Sequence, residues 1–183
     1  GVAVRIRNAE SGAFCGTGEV GSIEVRGYLT PGYAGNSAQH NGAVFTDDGY
    51  FRTGDLGALT REGTLQYAGR SSEMIKRSGI NVSPVEIEDV LQRHPDVGMV
   101  GVTGTDDAHL GEAIVAFVVS RPDATPNAAA LIAYCREHLS SYKLPDRMEI
   151  CAELPLTPTG KLMRRKLRAW ATRITSQYPS IND

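Results

Sequence analysis

Near residue 70 the chain changes character. From Gly1 to about Gly69 glycine is dense and the apolar runs are short, as in Gly21-Ser-Ile-Glu-Val-Arg-Gly27 and Thr64-Leu-Gln-Tyr-Ala-Gly69. Short alternating runs bounded by Gly, Asn-Gly and Asp-Gly read as strands joined by tight turns. Beyond residue 70, segments with helical period alternate with β-branched runs, Val97–Val102 and Ile114–Val119. Two textures in 183 residues imply one full domain plus a piece of another, with the boundary between Gly69 and Ser72. The start, Gly1-Val-Ala-Val-Arg-Ile-Arg7, lacks methionine and enters directly into a strand-like alternation, so we expect a chain cut from something longer.

The sharpest local signal is Ser83-Pro-Val-Glu86. Serine as N-cap, proline at the first helical position and glutamate three residues after the cap form a capping box, which satisfies backbone N–H groups at a helix start. Ile87, Val90 and Leu91 follow at helical spacing, and His94-Pro95 closes the helix. A second helix is expected over Pro126–Leu139, with Leu131, Cys135 and Leu139 on one face, a further strand over Met148–Cys151, and a basic helix over Leu162–Ile174. The fold class is therefore α+β: a Gly-rich, β-rich segment followed by a small α+β domain of two to three helices on a small sheet.

Composition narrows the function classes. Nineteen Lys and Arg against 21 Asp and Glu leave a formal net charge of −2, so bulk charge points to neither nucleic acid nor an anionic membrane surface. The longest apolar run, Ala113–Val119, is far short of the roughly 18 residues a spanning helix needs, and no secretory signal opens the chain. No transmembrane segment is expected. Cys15, Cys135 and Cys151 are odd in number and widely spaced, which fits a reducing, cytoplasmic setting; Cys135 reads as a small buried hydrophobe. His40, His94, His109 and His138 show no paired ligand spacing, so no metal site is expected here.

Three segments carry chemistry. In Tyr50-Phe-Arg-Thr-Gly-Asp55-Leu56, an aspartate after a glycine can approach a ligand closely, and its carboxylate can accept from two neighbouring hydroxyls such as those of a ribose. Taken alone, an Asp after Gly is more often a turn residue. In Gly69-Arg-Ser-Ser-Glu-Met-Ile-Lys-Arg-Ser-Gly79, a charged stretch runs into the capped helix, and Gly79 allows a tight turn or a close backbone approach. Its charges read equally as a solvated linker. In Pro155-Leu-Thr-Pro-Thr-Gly-Lys161, a lysine follows a Pro- and Gly-rich turn, where an ammonium suits charge developing on phosphate and carboxylate oxygens. The run Lys161, Arg164, Arg165, Lys166 and Arg168 has no acid in it and reads as a phosphate-contacting or, more commonly, a solvated face.

Together and in this order, the three segments resemble the C-terminal signature motifs of the adenylate-forming (AMP-binding) superfamily, which includes acyl-CoA synthetases and peptide-synthetase adenylation domains. The resemblance extends through Gly16-Thr-Gly-Glu-Val-Gly-Ser-Ile-Glu-Val-Arg-Gly27, Pro31-Gly-Tyr33, Phe45-Thr-Asp-Asp-Gly-Tyr-Phe-Arg-Thr-Gly-Asp55 and Tyr142-Lys-Leu-Pro145. It implies that residues 1–70 end the large AMP-binding domain, that 71–175 form the small mobile C-terminal domain, and that 176–183 are a flexible tail.

The resemblance also implies the activity: activation of a carboxylic acid by ATP to an acyl-adenylate, then transfer to a thiol by domain alternation. By position, Lys161 would be the catalytic lysine between carboxylate and α-phosphate. Asp55 and Arg70 would bind nucleotide, Ser72 would be the hinge, and Lys76, Ser78 and Gly79 would line the CoA pantetheine channel. ATP or AMP, Mg²⁺ held mostly by an N-terminal part of the same enzyme, and coenzyme A are the implied cofactors and co-substrates, with no nucleic-acid partner. Two departures stand out: serine replaces the usual Asp or Lys at the hinge, and the phosphate loop and acid pocket are absent, so the isolated chain is expected to be inactive. Ser78-Gly-Ile-Asn-Val-Ser-Pro-Val-Glu-Ile-Glu88 resembles the acyl-CoA synthetase form and favours CoA and fatty-acid metabolism. A peptide-synthetase adenylation domain serving a carrier protein, or a non-catalytic nucleotide- or partner-binding module, remains the alternative.

Overall fold

The computed structural model describes residues 1–29 and 44–177. The Pro31-Gly-Tyr33 motif, His40 and residues 178–183 lie outside the described residues. Two compact units make up the chain, Gly1–Ser72 and Glu73–Asp183. The α+β class expected from the sequence is what is found: among the described residues there are three α-helices and two largely antiparallel sheets.

In the first unit, β1 (Ala3–Arg7), β2 (Gly21–Arg26), β3 (Phe51–Leu59) and β4 (Leu65–Arg70) form an antiparallel sheet in sequence order. β3 turns into β4 through Thr60–Thr64, where Gly63 takes φ 78° and Thr60 N–H donates to the Thr64 carbonyl at 2.9 Å. Ile6, Ile23 and Ala58 are buried. Gly57 is required by space: a Cβ there would lie 2.5 Å from the Gln66 carbonyl oxygen.

A buried glutamate sits in this sheet. Glu24 accepts from Arg5 Nε at 2.5 Å and Arg7 Nε at 3.0 Å, and Arg5 also binds Asp48 and lies 3.6 Å from the centre of the Tyr50 ring. Burial opposes the Glu24 charge, but hydrogen bonds and attraction from Arg5 and Arg7 outweigh it and hold the carboxyl below its usual range.

In the second unit, strands β5 (Ile75–Arg77), β6 (Ile80–Val82), β7 (Val97–Asp107) and β8 (Gly111–Ser120) order as β6-β5-β8-β7, and β9 (Arg147–Ile150) joins β8 in parallel. The helices are α1 (Pro84–Gln92), α2 (Ala128–His138) and α3 (Arg164–Gln177). β8 explains why its sequence is an unbroken apolar run. Ile114, Ala116 and Val118 pack in one cluster with Ile87 and Leu91 of α1 and Leu131 and Cys135 of α2. Val115 and Phe117 belong to the opposite cluster with Leu167 and Ala171 of α3. Successive strand residues face opposite sides, so a strand covered on both faces cannot alternate with polar residues. Burying each Val, Ile, Leu or Phe side chain among them contributes roughly 1.5–3 kcal/mol.

The helix starts differ from the sequence reading for local reasons. Asn127 caps α2 by accepting from Ala129 N–H at 2.8 Å, which leaves Pro126 outside. Leu162 is held in a bridge with Leu156, so α3 begins only at Arg164; it runs to Gln177, two residues into the stretch read as a tail. Ser83 caps α1 as expected, accepting from Glu86 N–H at 3.3 Å, while the Glu86 carboxylate binds Lys143 Nζ at 2.6 and 2.8 Å. Among the described residues no helix is long and apolar enough to cross a membrane.

Candidate functional site

Asp55 lies on β3 and Arg70 ends β4, and the two are register partners. Arg70 Nε is 3.2 Å from Asp55 Oδ1. Gly54, at φ 76° with open space where a Cβ would be, kinks the strand just before the aspartate. The kink is held by Ser71 Oγ donating to the Gly54 carbonyl at 3.1 Å and by Asp55 N–H donating to Thr53 Oγ1 at 3.0 Å. Asp55 Oδ1 is buried, and among the described residues no hydrogen bond reaches it; its contact with Arg70 is an ion pair. With Oδ1 turned inward toward Arg70, the exposed part of the carboxylate, 29% of the side chain, is what a ligand's donor can reach. Arg70, 60% exposed, keeps guanidinium donors available to anionic oxygens.

Ser72 lies in a single 3₁₀ turn, Ser71–Glu73, and is the last residue of the first unit. Lys76, Ser78 and Gly79 share one hairpin. β5 and β6 pair Lys76 with Asn81 and Arg77 with Ile80, leaving a two-residue loop with Ser78 at φ 48° and Gly79 at φ 80°. Positive φ at both positions is the turn whose twist matches paired strands. Gly79 serves conformation within this unit, because nothing lies within 4 Å of a Cβ placed there. The hairpin is pinned by Ser78 N–H to the Leu110 carbonyl and by Lys76 N–H to Glu112 Oε2, each 2.6 Å, and by a bidentate pair between Arg77 and Asp146. The Lys76 side chain points outward and is exposed.

Lys161 is delivered by a closed turn. Thr157 N–H donates to the Lys161 carbonyl at 2.8 Å, Gly160 N–H to the Thr157 carbonyl at 2.9 Å, and Lys161 N–H to Thr157 Oγ1 at 3.0 Å. Gly160 adopts φ 79° to complete it. The backbone is fixed while the ammonium is exposed, with no salt-bridge partner among the described residues.

The basic run around Lys161 is not a uniform cationic face. Arg164 pairs with Glu73 at 2.6 Å and Glu88 at 2.6 and 2.8 Å, and Arg168 pairs with Asp106 at 3.0 Å and Glu112 at 2.5 Å. Burial works against the Arg164 charge, but Glu88 and Glu73 outweigh it and raise its pKa. These carboxylates come from sequence positions up to 91 residues away, taking Arg164 against Glu73 as 164 − 73, so no local pattern reveals them. Lys161, Arg165 and Lys166 are the members of the run left exposed and without ion pairs among the described residues.

Apart from Ser72 in its own turn, the sequence-level candidates thus fall into three groups: Asp55 paired with Arg70, the hairpin of Lys76, Ser78 and Gly79, and Lys161 on its own turn. Sequence reasoning missed Glu73, Glu88 and Arg164 as one linked cluster. Among the described residues no group of three or more His, Cys, Asp or Glu gathers to hold a metal ion.

Comparison with known proteins identifies the family. Residues 86–161 match the AMP-binding enzyme C-terminal domain. The chain is 40% identical over 153 residues to 2,3-dihydroxybenzoate-AMP ligase of Bacillus subtilis, covering 82% of this chain and 28% of that protein. It is 42% identical over 151 residues to 2-succinylbenzoate–CoA ligase of Geobacillus kaustophilus, covering 82% and 30%. Its fold superposes on ATP-bound MatB from Rhodopseudomonas palustris with a TM-score of 0.88 at 31% identity, covering 95% of this chain and 35% of that one. The chain therefore spans about a third or less of the length of these proteins. By its motifs, its fold and these relatives, the chain belongs to the adenylate-forming, AMP-binding enzyme family and carries that family's C-terminal domain.

Proposed function

We propose that this chain supplies the C-terminal part of an ATP-dependent, AMP-forming acid–CoA ligase, with the unit Gly1–Ser72 ending the large domain and the unit from Glu73 forming the mobile small domain. The observation that carries the reading is Lys161: a backbone locked by three hydrogen bonds presents an exposed ammonium with no ion-pair partner among the described residues. In the first step a carboxylate oxygen of the acid attacks the α-phosphorus of ATP and pyrophosphate leaves. Two anions must meet, and a cation held between them offsets their repulsion and the charge developing in the transition state.

The exposed part of the Asp55 carboxylate, whose other oxygen faces Arg70, would accept from the ribose, and Arg70 beside it would bind ribose or phosphate oxygens. In the second step the CoA sulfur attacks the acyl carbon, AMP leaves, and the thiol proton passes to solvent. Ser72, at the junction of the two units, would be the hinge between the two steps, and the hairpin of Lys76, Ser78 and Gly79 would line the pantetheine path. The Mg²⁺ that accompanies ATP would be held elsewhere in the enzyme.

Relatives named for 2,3-dihydroxybenzoate and 2-succinylbenzoate favour a broad carboxylic-acid substrate class over fatty acids alone. Three free thiols support a reducing, cytoplasmic compartment. The ion pairs that occupy Arg164 and Arg168 weigh against a nucleic-acid-binding module. Acid-dependent pyrophosphate exchange by the ligase carrying this chain, followed by AMP release on adding CoA, tests the reading. Exchange without CoA-dependent release, and with transfer to a carrier protein, would replace CoA by the carrier.

A further inference from the structure

We infer that Arg164 is a positioning residue for Lys161, tying the segment that follows Ser72 to the turn that presents the lysine. Its guanidinium binds carboxylates from two elements at once. Nε lies 2.6 Å from Glu73 Oε2, while Nη1 and Nη2 lie 2.6 and 2.8 Å from the two oxygens of Glu88 on α1. Nη1 also donates to the Val102 carbonyl at 3.0 Å, and Glu88 Oε1 accepts from Val102 N–H at 2.7 Å, which closes the cluster onto β7. Arg164 is only 19% exposed. It is the first residue of α3, three positions after Lys161, and Met163 N–H to the Pro155 carbonyl at 2.8 Å closes the loop that carries the lysine.

Helix propensity does not explain this residue. The first turn of a helix favours anions, so a cation there is unfavourable unless carboxylates surround it. Glu73 and Glu88 do so, and only a planar fork can hold both at these distances; a lysine ammonium on a flexible stem cannot. Glu73 is also the first residue of the second unit. A torque applied at Ser72 therefore reaches α3 and the Lys161 turn through one side-chain strut as well as through the backbone. Because a misplacement of about 1 Å can cost ~100-fold in rate, such a strut acts on the step that needs the lysine.

This inference rests on the assignment of Lys161 above, and it is tested in the ligase that carries this chain. Glu73→Gln leaves the Arg164–Glu88 fork in place and weakens only the link to the hinge segment. It should lower kcat for adenylation about tenfold, with KM for ATP and the rate of thioester formation from supplied acyl-adenylate within about twofold of the parent. Arg164→Lys should show the same split, larger. Equal loss of both half-reactions, or unchanged adenylation in Glu73→Gln while Lys161→Ala abolishes it, overturns the strut and leaves the lysine assignment standing. Retention of adenylation by Lys161→Ala overturns both.

Discussion

Asp55 and Arg70 face each other across β3 and β4, with Arg70 Nε 3.2 Å from a carboxylate oxygen that is buried and, among the described residues, receives no hydrogen bond. Because Arg70 is mostly exposed, the pair adds little to stability, about 0–1 kcal/mol. Asp55→Asn should therefore leave the melting temperature nearly unchanged while raising KM for ATP in the ligase by roughly 10–100-fold, the worth of hydrogen bonds to a charged acceptor. Steady-state kinetics and a melting curve on the same variant separate the two; a large fall in melting temperature with normal KM would make the pair structural.

Glu24 and its arginines make a pH-dependent brace in the first unit. Its pKa is lowered on folding, so its contribution is complete above the ordinary carboxyl value of 4.5 and is lost as pH falls through that value toward the folded pKa. Asp48, held down by hydrogen bonds from Arg5 and Thr46, acts in the same direction at lower pH. Glu24→Leu should cost about 1.5–3 kcal/mol, the worth of charged hydrogen bonds, because Arg5 and Arg7 lose the carboxylate between them while Arg5 keeps Asp48. Urea titrations of the chain between neutral and acid pH check this: the parent should lose stability below pH 4.5 more steeply than the variant.

Gly79 should resist replacement for conformational reasons. At φ 80° with open space around it, Gly79→Ala should cost about 1–2 kcal/mol from left-handed strain alone. Gly79→Asn should cost less, since asparagine tolerates that region. Equal destabilisation by both, measured by thermal melting, would point to a steric rather than a torsional origin.

Cys135 should be chemically silent. It is fully buried between α2 and the sheet, and burial pushes its thiol up to about 11. Iodoacetamide at mildly alkaline pH should label the partly exposed Cys15 and Cys151 first, with Cys135 reacting only after denaturation, as read by peptide mass spectrometry.

What could be read in advance follows the range of the interaction. Ser83 and Glu86 are three residues apart, so the cap of α1 was legible, and the unbroken run of β8 announced a buried strand. The run did not reveal that its two faces serve different helices, because apolar residues on both sides look alike in one dimension. Asp55 and Lys161 were marked by the motifs around them. Arg164 and Arg168, by contrast, looked like solvated cations, and only the fold supplies the carboxylates of Glu73, Glu88, Asp106 and Glu112 that bind them. Charge pairing across the chain has no sequence period, so it stays hidden until the backbone is placed.

Measuring the two half-reactions separately in the Lys161→Ala variant of the proposed ligase decides whether Lys161 serves the adenylation step alone. The expected result is loss of acid-dependent pyrophosphate exchange by about 100-fold or more, with thioester formation from supplied acyl-adenylate close to the parent rate. An equal fall in both half-reactions, or exchange at the parent rate, would contradict it.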